Sequence, residues 1–337
     1  VEKEIDERKK YNEIYAKAKK IQKRSTCKIC GKQCSSFCKS HTIPQFILEK
    51  LKINNTNYVS TAYWNMTKLS PHVLSPKKGV KEAGVFYEIC DKCDNEKFQD
   101  YESEGTIIKK PSNRLMMLIA LKNFLYLYHK YRIDCLAQEE LCSGAINDNV
   151  INDSNLNYVN WFDKEINSLI YKLENDREQK YKILFWKKLD YRVPISFQGA
   201  ITPTFDLNGN QIKTKKSIQS DLHIVVFSLE KESVVFAFYK LKDTEYDGIY
   251  KQFNMLTVEQ KLEKLNVLLL LYSEDYFMYE NIAEKMNDTE KAKFIEIFYG
   301  LESSFGNKIN EVLKKRREIF QHSNEYPNLL EKKFSLK

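Results

Sequence analysis

The chain alternates between stretches with different hydrophobic periods. Residues 3–24 are mostly Lys and Glu, with Ile5, Ile14, Ala18 and Ile21 thinly spaced. That pattern predicts an exposed helix with a narrow apolar stripe. From Thr26 to Asp94 the periodicity dissolves into Cys, Ser, Pro and Asn between short apolar runs. Pro111-Ser112 then opens an apolar segment, Leu115 to Tyr128, which reads as a buried helix with Ser112 as its N-cap and His129 at its end. Polar residues near Ser143–Asn157 predict a loop. Trp161, Phe162, Ile166, Leu169, Ile170 and Leu173 then recur at helical spacing.

Around Tyr191 the period shifts to that of strands. Ile195–Leu207, Asn208-Gly209 and Gln211 onward predict a hairpin with a type I′ turn, and Leu222–Leu229 with Val234–Leu241 a second one. Thr257 and Gln260 have capping-box spacing ahead of Leu262, Leu265 and Leu268–Leu271. Further helices are expected over Asp275–Met286, Thr289–Leu301 and Lys308–His322. The fold class is therefore α+β. An N-terminal helix covers residues 1–25, a cysteine-rich module 26–110, and a body 111–337. Within the body, helices are expected over 112–189, strands over 191–241 and helices over 257–322.

Composition narrows the function classes. The 337 residues are 42% hydrophobic, enough to bury a core. Only 10 are Gly, and no two stand in a G-x-G arrangement, which excludes dinucleotide fingerprints and P-loops. The most apolar runs, Leu115–Leu121 and Val267–Tyr272, fall short of the ~20 residues that a membrane span needs. No membrane partner is expected, and with a charged N-terminus the expected location is the cytoplasm. The net charge is +8, and residues 1–100, with 20 Lys and Arg against 12 Asp and Glu, hold all of the excess. Residues 11–89 interleave that charge with Phe46, Tyr58, Tyr63 and Trp64. This suits phosphate contacts and base stacking.

Six of the eight cysteines lie in the same 100 residues. Cys27-Lys28-Ile29-Cys30 and Cys90-Asp91-Lys92-Cys93 are two C-x-x-C knuckles, the second followed by Asp94. Together they supply four thiolates for a closed tetrahedral zinc site, and Gly31 eases the first turn. Cys27, Cys30, Cys34 and Cys38 form an alternative local set, iron–sulfur included. In the first arrangement Cys34 and Cys38 are packing thiols.

Between the knuckles lies Ser40-His41-Thr42-Ile43-Pro44, and after them Asp94-Asn95-Glu96-Lys97. This order resembles the zinc-bearing HNH, or ββα-metal, endonucleases. It is closer still to an uncharacterised bacterial group with S-H-x-I-P and C-x-x-C-[Asp/Glu] motifs and a later Tyr-Glu, here Tyr101-Glu102. The resemblance implies a zinc-ribbon ββα module ahead of the body, with structural zinc on Cys27, Cys30, Cys90 and Cys93. It implies His41 as general base and Asp94 as ligand of a catalytic Mg²⁺ or Mn²⁺ ion. It further implies hydrolysis of nucleic-acid phosphodiesters, DNA before RNA, in bacterial defence, with region 111–337 free to engage a partner protein. The chain departs from the family at two places: Ser40 stands where an acidic ligand precedes the histidine, and Val85 where a middle asparagine is expected. His72, Asn65 or Asp91 are the available substitutes. The alternative is a catalytically inactive zinc-ribbon protein that binds nucleic acid or assembles a complex. Arg317 and His322 also match the R-x₄-H spacing of HEPN ribonucleases.

Overall fold

The computed structural model describes residues 2–22, 25–52, 58–61, 77–99, 101–142, 149–214, 216, 218–273, 275–301 and 309–336. The helices are α1 (Glu2–Ile21), α2 (Gln45–Lys50), α3 (Asp91–Phe98), α4 (Glu104–Ile107), α5 (Asn113–Cys142), α6 (Asn149–Glu174), α7 (Asp247–Asn254), α8 (Val258–Tyr272), α9 (Asp288–Leu301) and α10 (Ile309–Gln321). The strands are β1 (Ser40–His41), β2 (Tyr58–Thr61), β3 (Lys77–Gly79), β4 (Val85–Phe86), β5 (Tyr181–Leu189), β6 (Ile195–Ile201), β7 (Leu222–Ser228), β8 (Ser233–Lys240) and β9 (Phe277–Met278). The architecture is a mixed α+β one. Among the described residues no helix is long and apolar enough to cross a membrane.

The chain divides into two compact units, neither continuous in sequence. The first comprises residues 1–42, 84–103 and 113–179, the second 43–83, 104–112 and 180–337. This partition differs from the expected break near residue 110. It gives residues 43–83 of the segment between the knuckles to the second unit and leaves Ser40 and His41 in the first.

In the first unit, α5 is the central element. Ile14 and Ala18 of α1 pack on Ile133 and Ala137 of α5, while Ile21, expected on the same stripe, is 58% exposed. On α6, Tyr158, Trp161 and Phe162 stack and interlock with Phe124 and Tyr131 of α5. The expected loop at 143–157 shortens, because α6 already begins at Asn149; residues 143–148 lie outside the described set. The short ribbon of β1 and β4 pairs Ser40 with Phe86 and His41 with Val85.

The second unit is built on an antiparallel sheet of order β3-β2-β9-β6-β7-β8-β5. Every residue of β7 and β8 is buried, and apart from His223 and the strand-end Ser228, Ser233 and Lys240 both strands are apolar on both faces. Edge strand β5 carries Lys182, Lys187 and Lys188 and an irregularity between Ile183 and Phe185, features that discourage further strand pairing.

Three sequence expectations change here. Residues 181–189 form strand β5, paired with β8 along its length, and not the end of a helical region. Asp275–Met286 is not one helix: Phe277–Met278 pairs as β9 with β2 and β6, and a 3₁₀ segment, Glu280–Lys285, follows. The Asn208-Gly209 turn closes only the isolated pair Phe205 and Gln211, since β6 ends at Ile201. Asp206 Oδ1 accepts the N–H groups of Asn208 and Asn210, each at 2.9 Å, and holds this turn by its side chain. Only Gly209 there has positive φ, at +76°, whereas a type I′ turn needs two such residues. The β7–β8 hairpin closes with Ser228 opposite Ser233. The capping box of α8 forms in both directions, Gln260 N to Thr257 Oγ1 at 3.3 Å and Thr257 N to Gln260 Oε1 at 3.0 Å.

Candidate metal centre and the polar cluster beside it

The first knuckle is a tight turn in which Gly31 N donates to Cys27 O at 2.9 Å and Cys27 N donates to Lys32 O at 2.9 Å. Gly31 takes φ +67°, the left-handed region that favours glycine. The second knuckle opens α3, with Cys90 at the N-cap position and Cys93 in the first turn. The two are brought together by backbone pairing: Lys28 N donates to Glu88 O at 2.8 Å, and Cys90 N to Cys27 Sγ at 3.4 Å.

The result is that the sulfurs of Cys27, Cys30, Cys90 and Cys93 all lie within 4.8 Å of one another. Four sulfur donors at this separation can bind a metal ion such as zinc. Cys27 and Cys93 are buried while Cys30 is exposed. Burial raises the Cys27 and Cys93 thiols. For Cys90, burial works upward, but the Cys93 backbone N–H and the neighbouring thiols outweigh it and bring the group down to about 7. The alternative set with Cys34 and Cys38 does not form.

A second cluster lies on α3, one residue beyond the last cysteine. Ser40 Oγ donates to Asp94 Oδ1 at 2.9 Å, and the Cys38 thiol donates to Asp94 Oδ2 at 3.3 Å. Lys122, from the N-terminal third of α5, has a side chain only 1% exposed and sits 3.8 Å from Asp94 Oδ1. Its ammonium also donates to Glu102 and lies 4.5 Å from the centre of the Phe98 ring. Burial alone would lower Lys122, yet Tyr101, Glu102 and Asp94 outweigh it and hold the ammonium above the usual lysine range. Burial and the adjacent Asp94 push Cys38 up to about 12, so that thiol stays protonated. Lys122 gives no sign of this role in the sequence, where it is one polar break in an apolar helix. Glu102, the glutamate of the Tyr101-Glu102 pair, is Lys122's partner.

His41 follows Ser40 along β1, so the pleat sends it to the opposite face of the ribbon, beside Val85. The inner face carries Ser40 and Phe86, both fully buried, with Phe86 edge-on to Tyr126. Among the described residues no second group of three or more His, Cys, Asp or Glu ligands gathers around His41 or Asp94. Asn65 and His72 lie outside the described residues. Asp91 is exposed on α3, and Asp94 is in the first turn of that helix rather than its N-cap.

A further buried network braces the centre. Glu88 receives Arg132 at 3.0 and 3.2 Å and pairs with His129 Nδ1 at 3.0 Å. Arg132 also donates to Gln22 O at 2.9 Å. His129 therefore sits in mid-helix, since α5 runs on to Cys142, and binds a carboxylate rather than capping a helix end. His223 is buried against Phe238 in the second unit, with a ring separation of 4.8 Å. His322 pairs with Glu325 at 3.2 Å.

The partition also moves the charge. The first unit carries 21 Lys and Arg and 21 Asp and Glu, so it is neutral, and the whole +8 falls in the second. The excess that the sequence concentrates in residues 1–100 is therefore not a property of the unit that holds the cysteine centre. No protein-family model matches the chain, and no curated protein and no solved structure matches it.

Proposed function

We propose that the protein carries a structural zinc ion on Cys27, Cys30, Cys90 and Cys93, and that its HNH-like ribbon holds nucleic acid without cutting it. The observation that carries this reading is the Ser40–Asp94–Lys122 cluster. In the family that the sequence resembles, the positions of Ser40 and Asp94 supply ligands to a catalytic cation. Here a hydroxyl satisfies the carboxylate directly, and the Lys122 ammonium supplies the positive charge from within the fold. The residues present do not fit a second, catalytic metal at Asp94. The strand-strand-helix order of β1, β4 and α3 supports the scaffold part of the reading, and the resemblance alone supports nucleic acid as the ligand.

The competing reading is a metal-dependent endonuclease with His41 as base, favoured by the placement of His41 on the more open face of the ribbon. One experiment separates the two. Full-length protein is assayed for zinc content, for binding to labelled DNA and RNA across a salt series, and for cleavage of plasmid and RNA with Mg²⁺ or Mn²⁺. The expected outcome is one zinc per chain and salt-sensitive binding with no cleavage. Cleavage that His41→Ala abolishes would overturn the non-cleaving reading in favour of the endonuclease.

A further inference from the structure

A second candidate site lies wholly within the second unit, in a cavity of about 630 Å³. Specific small-molecule sites commonly enclose about 300–1,000 Å³. Four segments wall it: the turn at Leu207 and Asn208, the end of α7, the first turns of α8, and the end of α10 with the turn after it. Side chains brace these walls against one another. Gln252 of α7 donates to Asp206 Oδ2 at 3.1 Å and accepts Leu207 N at 2.9 Å, and Gln321 of α10 donates to Asn208 O at 3.2 Å. Gln321 comes so close that a Cβ on Gly209 would stand 2.8 Å from its amide nitrogen, so the turn needs glycine for space as well as for its positive φ. The cavity is therefore formed before any ligand arrives, which lowers the cost of binding.

The lining has a definite chemistry. Among the described residues its charged groups are Glu263 and Lys264, 3.8 Å apart, whose charges cancel, and no arginine or aromatic ring joins them. Lys264 donates to Phe320 O at 3.2 Å and to Ser323 Oγ. Ser323 Oγ donates in turn to Glu263 Oε1, which leaves Glu263 Oε2 with no donor among the described residues. The exposed side-chain amides of Asn208 and Asn324 are likewise unengaged among the described residues, and Gln260 spends only its oxygen, on Thr257 N. Met255, the C-cap of α7, holds an 84% exposed side chain at the rim, beside the apolar Leu207 and Leu256. An amide carries a donor and an acceptor side by side, the pattern that matches a nucleobase edge. A thioether suits the ring itself, and a free carboxylate oxygen suits a ribose hydroxyl. A phosphate would enter without a cation of its own, at the cost of burying an unpaired charge. We propose that this cavity binds a free, unphosphorylated nucleoside.

The test uses the full chain with isotope-labelled methionine methyl groups, titrated in turn with the common ribonucleosides, their 5′-monophosphates and methyl β-ribofuranoside. The Met255 methyl signal, identified by its loss in Met255→Leu, is expected to shift with at least one nucleoside, at a Kd of about 0.1 mM or tighter. The monophosphate of that nucleoside is expected to bind about tenfold more weakly, and the ribofuranoside, which lacks a base, not to saturate. Asn324→Ala removes an exposed amide and no side-chain hydrogen bond among the described residues. It is expected to weaken nucleoside binding about tenfold at an unchanged unfolding temperature. A Met255 signal that no nucleoside moves by about 1 mM, a monophosphate that binds more tightly than its nucleoside, or Asn324→Ala with wild-type affinity overturns the proposal. The site needs neither metal nor polymer, so its failure leaves the zinc reading untouched.

Discussion

Ser40 Oγ donates to Asp94 Oδ1 across 2.9 Å, joining two residues 54 positions apart in the chain. The bond ties strand β1 to the first turn of α3, directly beyond Cys93. It also gives the carboxylate a fixed direction, toward the buried Lys122 ammonium 3.8 Å away. The cysteine knuckles, ribbon and central helix therefore meet at one buried charge cluster.

Removing the cation from that cluster leaves Asp94 and Glu102 without their counter-charge. Lys122→Met keeps most of the volume and is expected to destabilise the first unit by about 3–5 kcal/mol, the usual cost of breaking one side of a buried ion pair. Urea unfolding of wild type and variant checks it, and an unchanged midpoint would show that the cluster carries no such energy.

Metal removal acts on the same unit from the other end. Cys93 is buried in the first turn of α3; on the zinc reading, Cys93→Ser is expected to abolish metal binding and lower the unfolding temperature, and a chelator is expected to do the same to wild type. Metal content by emission spectroscopy beside thermal unfolding reads both effects.

Acid sensitivity has a specific source in the second unit. Burial, and then the charge of Lys240, lower His223 to about 3. An unfolded histidine titrates near 6.5. Below that pH the unfolded chain takes up a proton that the native chain refuses, so stability falls as pH drops from about 6.5 towards 3. The slope is at most ~1.4 kcal/mol per pH unit. His223→Phe is expected to lose this contribution, so in denaturant titrations at stepped pH the wild-type minus variant stability difference falls as pH drops from about 6.5 towards 3, and a constant difference would contradict it.

Gly199 tests a close approach in β6. A Cβ there would stand 2.5 Å from the tip of the Phe197 ring, which is buried in the core and lies over the glycine. Gly199→Ala forces the ring out of place and is expected to cost about 1–3 kcal/mol. Adding Phe197→Leu should recover part of that loss, and a pair of substitutions that simply add would contradict the contact.

Local signals in this chain are legible without a structure, and non-local ones are not. The two C-x-x-C knuckles, the β7–β8 hairpin and the capping box of Thr257 and Gln260 each depend on residues within a few positions of one another, so spacing alone reveals them. Strand β5 and the two-residue β9 were missed because each exists through pairing with a distant strand, which supplies hydrogen bonds that no local period encodes. The sequence by itself determined that four thiols would be available for one metal and that Ser40, His41 and Asp94 would flank it. Only the tertiary structure decided which cation faces Asp94, that Ser40 and His41 lie on opposite faces of the ribbon, and that the net positive charge belongs to the second unit. The reason is physical: charges interact through space across a low-dielectric interior, and which of them meet is set by how α5 packs, not by their order along the chain.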